Sequence, residues 1–116
     1  MPSLVLIAGT PVVLDADQIR AASSVSHTGH LDTLLLEVQS LTGTIAVTGR
    51  LNGSGTADAS GHDLAYENMG TGAAVAGGTD IAAAGLYRIP ADNCDVMLTL
   101  SVGGSATVHY SAVHGG

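Results

Sequence analysis

Five histidines, one cysteine and ten acidic residues are the groups in this chain of 116 residues that could do chemistry. His27-Thr28-Gly29-His30 could set two imidazoles on one metal ion. A tetrahedral site needs a further pair of ligands at similar spacing, and no second pair and no Cys-x-x-Cys follows. The plainer reading, solvated loop histidines, is the one adopted, and His109 is read as a surface histidine. Asp15 and Asp17 are spaced like the first ligands of a calcium loop, but the Gly and the closing Glu of that loop are missing. Asp92-Asn93-Cys94-Asp95 offers oxygen ligands, yet Asx residues in turns ordinarily hydrogen-bond their own backbone. No metal site is expected.

Nucleophilic catalysis finds equally little support. Gly53-Ser54-Gly55 is not the G-x-S-x-G elbow that presents a serine on a strained strand-to-helix turn. Cys94 reads as a small core residue. Gly70, Gly72, Gly77 and Gly78 do not have the spacing that cradles a dinucleotide or a phosphate. The expectation is no catalytic residue, no cofactor and no enzymatic function.

Charge and composition narrow the partners. Three basic against ten acidic residues give a formal charge of −7, too few cations to neutralise a phosphate track, so nucleic acid is not an expected partner. No apolar run approaches the roughly 20 residues of a membrane helix. Met1-Pro2-Ser3 brings no basic segment before Leu4–Ala8, so no signal peptide is expected. A single cysteine forms no internal disulfide, which suits assembly inside a cell. Only 11% of residues are charged, against about a quarter in ordinary domains. The surface must be Ser, Thr, Gly and Ala, a kind common where much of the outside meets other protein. With no Phe or Trp and three Tyr, the core is expected to be Leu, Val, Ile and Ala. Association is one way to bury what so small a core leaves exposed.

The elements that would position these groups are strands. Ser3–Ala8 and Pro11–Leu14 are short apolar runs, read together as an N-terminal arm or edge strand within residues 1–14. In Asp32–Leu41, Leu34, Leu36 and Val38 share one face and Leu35, Glu37 and Gln39 the other, a period of two. Thr42-Gly43 then reads as a two-residue turn into Thr44–Leu51, pairing Val38 with Val47 and Leu34 with Leu51. Asn52–Gly61 is a Gly/Ser loop, His62–Asn68 a brief strand, and Met69–Gly78 a small-residue loop or edge strand. Leu86–Ile89 is a strand that Pro90 closes, since Pro has no N–H for a ladder.

The most regular stretch lies at the end. Val96, Leu98, Leu100 and Val102 alternate with polar residues and with Met97, and Ala106, Val108, Tyr110 and Ala112 alternate after Gly103-Gly104-Ser105. A three-residue loop pairs Leu100 with Val108, Leu98 with Tyr110 and Val96 with Ala112, and sets Thr99 opposite His109 on the wet face. A two-residue loop would bury polar side chains. Strands recurring every 8–12 residues with no competing helical period predict one all-β domain. The expected form is an antiparallel β-sandwich or jelly-roll-like fold of about seven to nine short strands.

Two stretches carry a resemblance: LLLEVQSLTGTIAVTGRLNG (Leu34–Gly53), and AAAGLYRIPADNCDVMLTL followed by GGSATVHY within Ile81–Tyr110. Together they resemble the small β-sandwich virion proteins of tailed bacteriophages, which include capsid decoration or cement proteins. Where such chains usually have a glycine turn before the hairpin's first strand, this one has Asp92-Asn93. The resemblance implies a structural protein on the outer capsid surface, assembled in the host cytoplasm. It implies binding to the major capsid protein and to itself as a trimer or dimer. Leu4, Leu6, Ile7, Val12 and Val13 are then the expected partner contacts. The alternatives are a tail or head-fibre module that binds a host glycan or receptor, and a binding module of cellular origin. A sugar platform usually needs exposed aromatic rings, and this chain has few.

Overall fold

Leu34, Leu36 and Val38 are buried, while Leu35 and Glu37 on the opposite face are half-buried, so the period of two in this segment marks one core face. That segment is the centre of a sheet. The computed structural model describes residues 3–14, 31–51, 61–91 and 94–115, and among them the chain forms ten strands and no helix. In order they are β1 (Ser3–Val5), β2 (Pro11–Leu14), β3 (Leu31–Thr42), β4 (Ile45–Leu51) and β5 (His62–Asp63). Then follow β6 (Tyr66–Asn68), β7 (Ala73–Val75), β8 (Gly85–Pro90), β9 (Cys94–Leu100) and β10 (Ser105–Gly115). They make a six-stranded sheet in the order β1-β10-β3-β8-β6-β7 and a four-stranded sheet in the order β2-β9-β4-β5. Every pairing is antiparallel. The all-β antiparallel class is as expected. The strand number exceeds seven to nine because β1, β5, β6 and β7 are pieces of two or three residues.

Both expected hairpins are overturned. β3 does not pair with β4, nor β9 with β10: the partners of each hairpin lie in different sheets. β10 pairs instead with β3, setting Tyr110 beside Leu36 and Ala112 beside Leu34. β9 pairs with β4, setting Leu98 beside Val47 and Leu100 beside Ile45. Thr99 is consequently beside Ala46, and His109 beside Glu37. Alternation states which face is buried, but not which strand lies alongside, and here both arrangements bury the same side chains. The two short turns decide between them by bonding each other. Ser101 N–H donates to Thr44 O at 2.9 Å, and Thr44 N–H donates to Ser101 Oγ at 3.0 Å. Gly43 adopts φ +89°, and a Cβ at Gly104 would lie 2.7 Å from Thr42 O. Each turn therefore steps from one sheet to the other against its neighbour. Gly104→Ala is expected to lower stability by about 1–3 kcal/mol, because the backbone it meets cannot rotate away as a side chain would. An unchanged denaturation midpoint would mean that the turns do not abut.

Two further differences follow from local geometry. His62–Asn68 is not one strand, since β5 belongs to the four-stranded sheet and β6 to the six-stranded one. Leu64 N–H, donating to Val47 O at 3.2 Å, lies between the two pieces. In β3 a bulge opposite Thr107/Val108 leaves Ser40 beside Thr107 and Val38 beside Val108. The extra residue restores Leu41 to the inner side, where it packs on the core with Ala106, although simple alternation would turn it outward. Pro90 ends β8, as its missing N–H requires, and β7 is an edge strand.

One cluster of buried side chains joins the two sheets. Leu34, Leu36, Val38, Ile89 and Val108 come from the larger sheet, and Leu14, Ile45, Val47, Val96, Leu98 and Leu100 from the smaller. The expectation of a core without aromatic rings is corrected: Tyr66 and Tyr87 are 5% and 4% exposed and meet edge to face at 5.7 Å. They can be buried because their hydroxyls have partners. Tyr66 donates to Thr79 O at 2.9 Å and Tyr87 to Ala83 O at 2.7 Å, which ties the 79–84 segment to the core. Burial pushes both phenols above their usual range, with the charges of Tyr87 and Asp80 adding to the effect at Tyr66. Both stay neutral donors at neutral pH.

Candidate interaction surface

The N-terminal strands lie on one flank of the molecule. β1 is the outer strand of the larger sheet beside β10, and β2 the outer strand of the smaller sheet beside β9. Among the described residues neither strand has a partner on its outer side. The connection between them is anchored: Thr10 N–H donates to Ile7 O at 3.0 Å and Gly9 N–H to Leu100 O at 2.7 Å. Gly9 has φ +78°, and its α-carbon faces Val102 closely enough that a Cβ would sit 3.4 Å from Val102 Cγ2. Turn 6–10 thus lies against turn 101–104, which itself bonds turn 42–44.

The five N-terminal candidates separate by exposure. Leu6 is buried, and Leu4 and Val12 pack on the core from the edge strands. Val13 is half-buried on the opposite side of β2. Ile7 is 61% exposed, and Val102 across the turn contact is 90% exposed. Val102 directly precedes Gly103-Gly104 and lies in the turn, although the alternation counts it with the strand. A large apolar residue beside a glycine pair was the available signal. Ile7 and Val102 therefore place exposed apolar side chains on neighbouring turns held by backbone bonds.

Among the described residues the groups considered for chemistry are dispersed. His27, His30, Asp15, Asp17, Gly53–Gly55, Asp92 and Asn93 lie outside the described residues. His62 is exposed on β5. His109 Nε2 is 3.2 Å from Gln39 Oε1, and Gln39 Nε2 donates to Glu37 Oε1 at 3.2 Å, a polar chain on the outer face of the larger sheet. Cys94 is half-buried at the start of β9. Gly72 and Gly78 have positive φ, fitting turns around β7. Among the described residues no three of His, Cys, Asp and Glu come together.

Asp95, next in the chain, belongs to no turn and is a buried strand residue. Its Oδ2 lies 3.5 Å from Arg50 Nε, with side-chain exposures of 6% and 8%. The two are cross-strand neighbours in β9 and β4, on the face of the smaller sheet turned away from the core. Their spacing of 45 residues gives no sequence signal.

The chain matches no family model, no curated protein and no solved structure.

Proposed function

We propose that this chain is a structural virion protein of a tailed phage, a capsid decoration protein that binds the major capsid protein and reinforces the lattice. The observation that carries the reading is the pair of exposed apolar residues, Ile7 and Val102, on turns braced by backbone hydrogen bonds. Apolar side chains at 61% and 90% exposure gain about 1.5–3 kcal/mol each when a partner covers them fully. Bracing means that little conformational freedom is lost on docking. The weakly charged surface and the resemblance of Leu34–Gly53 and Ile81–Tyr110 to cement proteins support the same reading.

Deleting the first ten residues would not test it cleanly, because β1 and buried Leu6 belong to the fold. The double variant Ile7→Ser/Val102→Ser is the better probe. Its unfolding free energy is expected to stay within about 0.5 kcal/mol of the parent, as for exposed sites generally. Its binding to capsids stripped of the native protein is expected to fall at least about tenfold. Undiminished binding would remove these turns from the contact. Counting copies per particle against the major capsid protein tests the role itself: comparable numbers fit cementing of the lattice, whereas a handful would move the chain to the tail or a fibre.

A further inference from the structure

The outer face of the six-stranded sheet has a composition that fits itself. Register places Glu37 beside Leu86 and His109, and in the next outward-facing row places Arg88 beside Leu35 and Glu67. Leu86 is 47% exposed, and Leu35, Glu37 and Met69 are half-buried. Together with His109 and Ser111 they line a shallow depression of about 260 Å³. Arg88 stands beside it, 49% exposed in its side chain and 3.6 Å from Glu67. Arg88 is the one exposed Lys or Arg among the described residues, and it lies on a face with two carboxylates in a chain of net charge −7.

We infer that this face is the contact between two copies of the chain, paired about a two-fold axis. Suppose the axis runs across the strands, between the Glu37 row and the Leu35 row. Arg88 of one copy then lies over Leu86 of the other, one strand from its Glu37, a lateral step of about 4.8 Å. The aliphatic stem of Arg88 covers Leu86 while the guanidinium reaches the carboxylate. Two-fold symmetry makes the same contact twice. An acidic chain gains a self-complementary patch only where it carries a cation, and among the described residues this face is where that condition is met. The inference is separate from the capsid reading, which concerns the turn end of the molecule, and it is tested on the purified chain alone.

The experiment is sedimentation equilibrium between about 1 µM and 1 mM, on the parent, Arg88→Glu, Glu37→Arg, their equimolar mixture, and Leu86→Ser, with circular dichroism to verify folding. The parent is expected to rise from the monomer mass of 11.5 kDa to twice that value. Each charge variant alone is expected to dimerise at least about tenfold more weakly, because like charges then meet at both contacts. The mixture is expected to recover the loss. In the mixed dimer the carboxylate introduced in one variant meets the guanidinium introduced in the other, and the native Arg88–Glu37 pair forms at the second contact. Leu86→Ser is expected to weaken association without affecting the fold. A parent that stays monomeric throughout overturns the inference, and so does a dimer indifferent to all three substitutions. Failure of the mixture to recover overturns the Arg88–Glu37 arrangement.

Discussion

Asp95→Ala is expected to cost about 3–5 kcal/mol of folding stability, although the residue lies outside the hydrophobic cluster that joins the sheets. Asp95 and Arg50 are side by side on neighbouring strands with their side chains 6% and 8% exposed. Removing the carboxylate takes away the countercharge 3.5 Å from a guanidinium that is held away from water. A single domain has about 5–15 kcal/mol in all, so the loss takes a large part of it. The cost belongs to breaking the pair and not to lacking one. Arg50→Met/Asp95→Leu, which replaces both charges by apolar groups of similar size, is therefore expected to recover part of it. Urea denaturation of the parent, the single variant and the double variant separates the cases. A loss under about 1 kcal/mol in Asp95→Ala, or a double variant weaker than the single, would show that this pair is not what the stability depends on.

Leu98→Ala is the second large effect. Leu98 is fully buried, on a strand flanked by Val12 and Val47. Truncation removes apolar area and leaves a cavity, at a cost of about 2–5 kcal/mol. The upper half of that range is expected. Its nearest lateral neighbours are short branched residues, and they cannot swing into the space as a long unbranched side chain would. Leu98→Met, which keeps the volume, should cost less than about 1.5 kcal/mol. Leu86→Ala, at 47% exposure, should stay within about 0.5 kcal/mol in the monomer. Equal losses at Leu98 and Leu86 would contradict the assignment of inner and outer faces.

The buried face of Leu98 was visible in the chain itself. Val96, Leu98 and Leu100 recur at a period of two, as do Leu34, Leu36 and Val38, and all six are buried. The period arises because side chains alternate across a pleated strand, so the pattern is written wherever one face meets a core. The place of Pro90 at a strand end was equally legible, since it follows from a missing N–H. The all-β antiparallel class followed from the same local signals.

What tertiary structure alone decided is which strands lie together. The same alternation permits Leu98 beside Tyr110 or beside Val47, because both bury the same atoms. The choice between a hairpin and a step between sheets falls to contacts such as Ser101 with Thr44 and Gly104 with Thr42, some 57–62 residues apart. The interaction surface depended on that choice. Val102 became an exposed tip once its turn bridged the sheets, and Ile7 became its neighbour through Gly9 and Leu100. Arg50 and Asp95 came together because β4 pairs with β9, and Glu37, Leu86 and Arg88 came onto one face because β3 pairs with β8. Local periodicity determines what a strand hides. Which residues stand beside one another depends on long-range pairing, for which a single sequence carries no repeating signal.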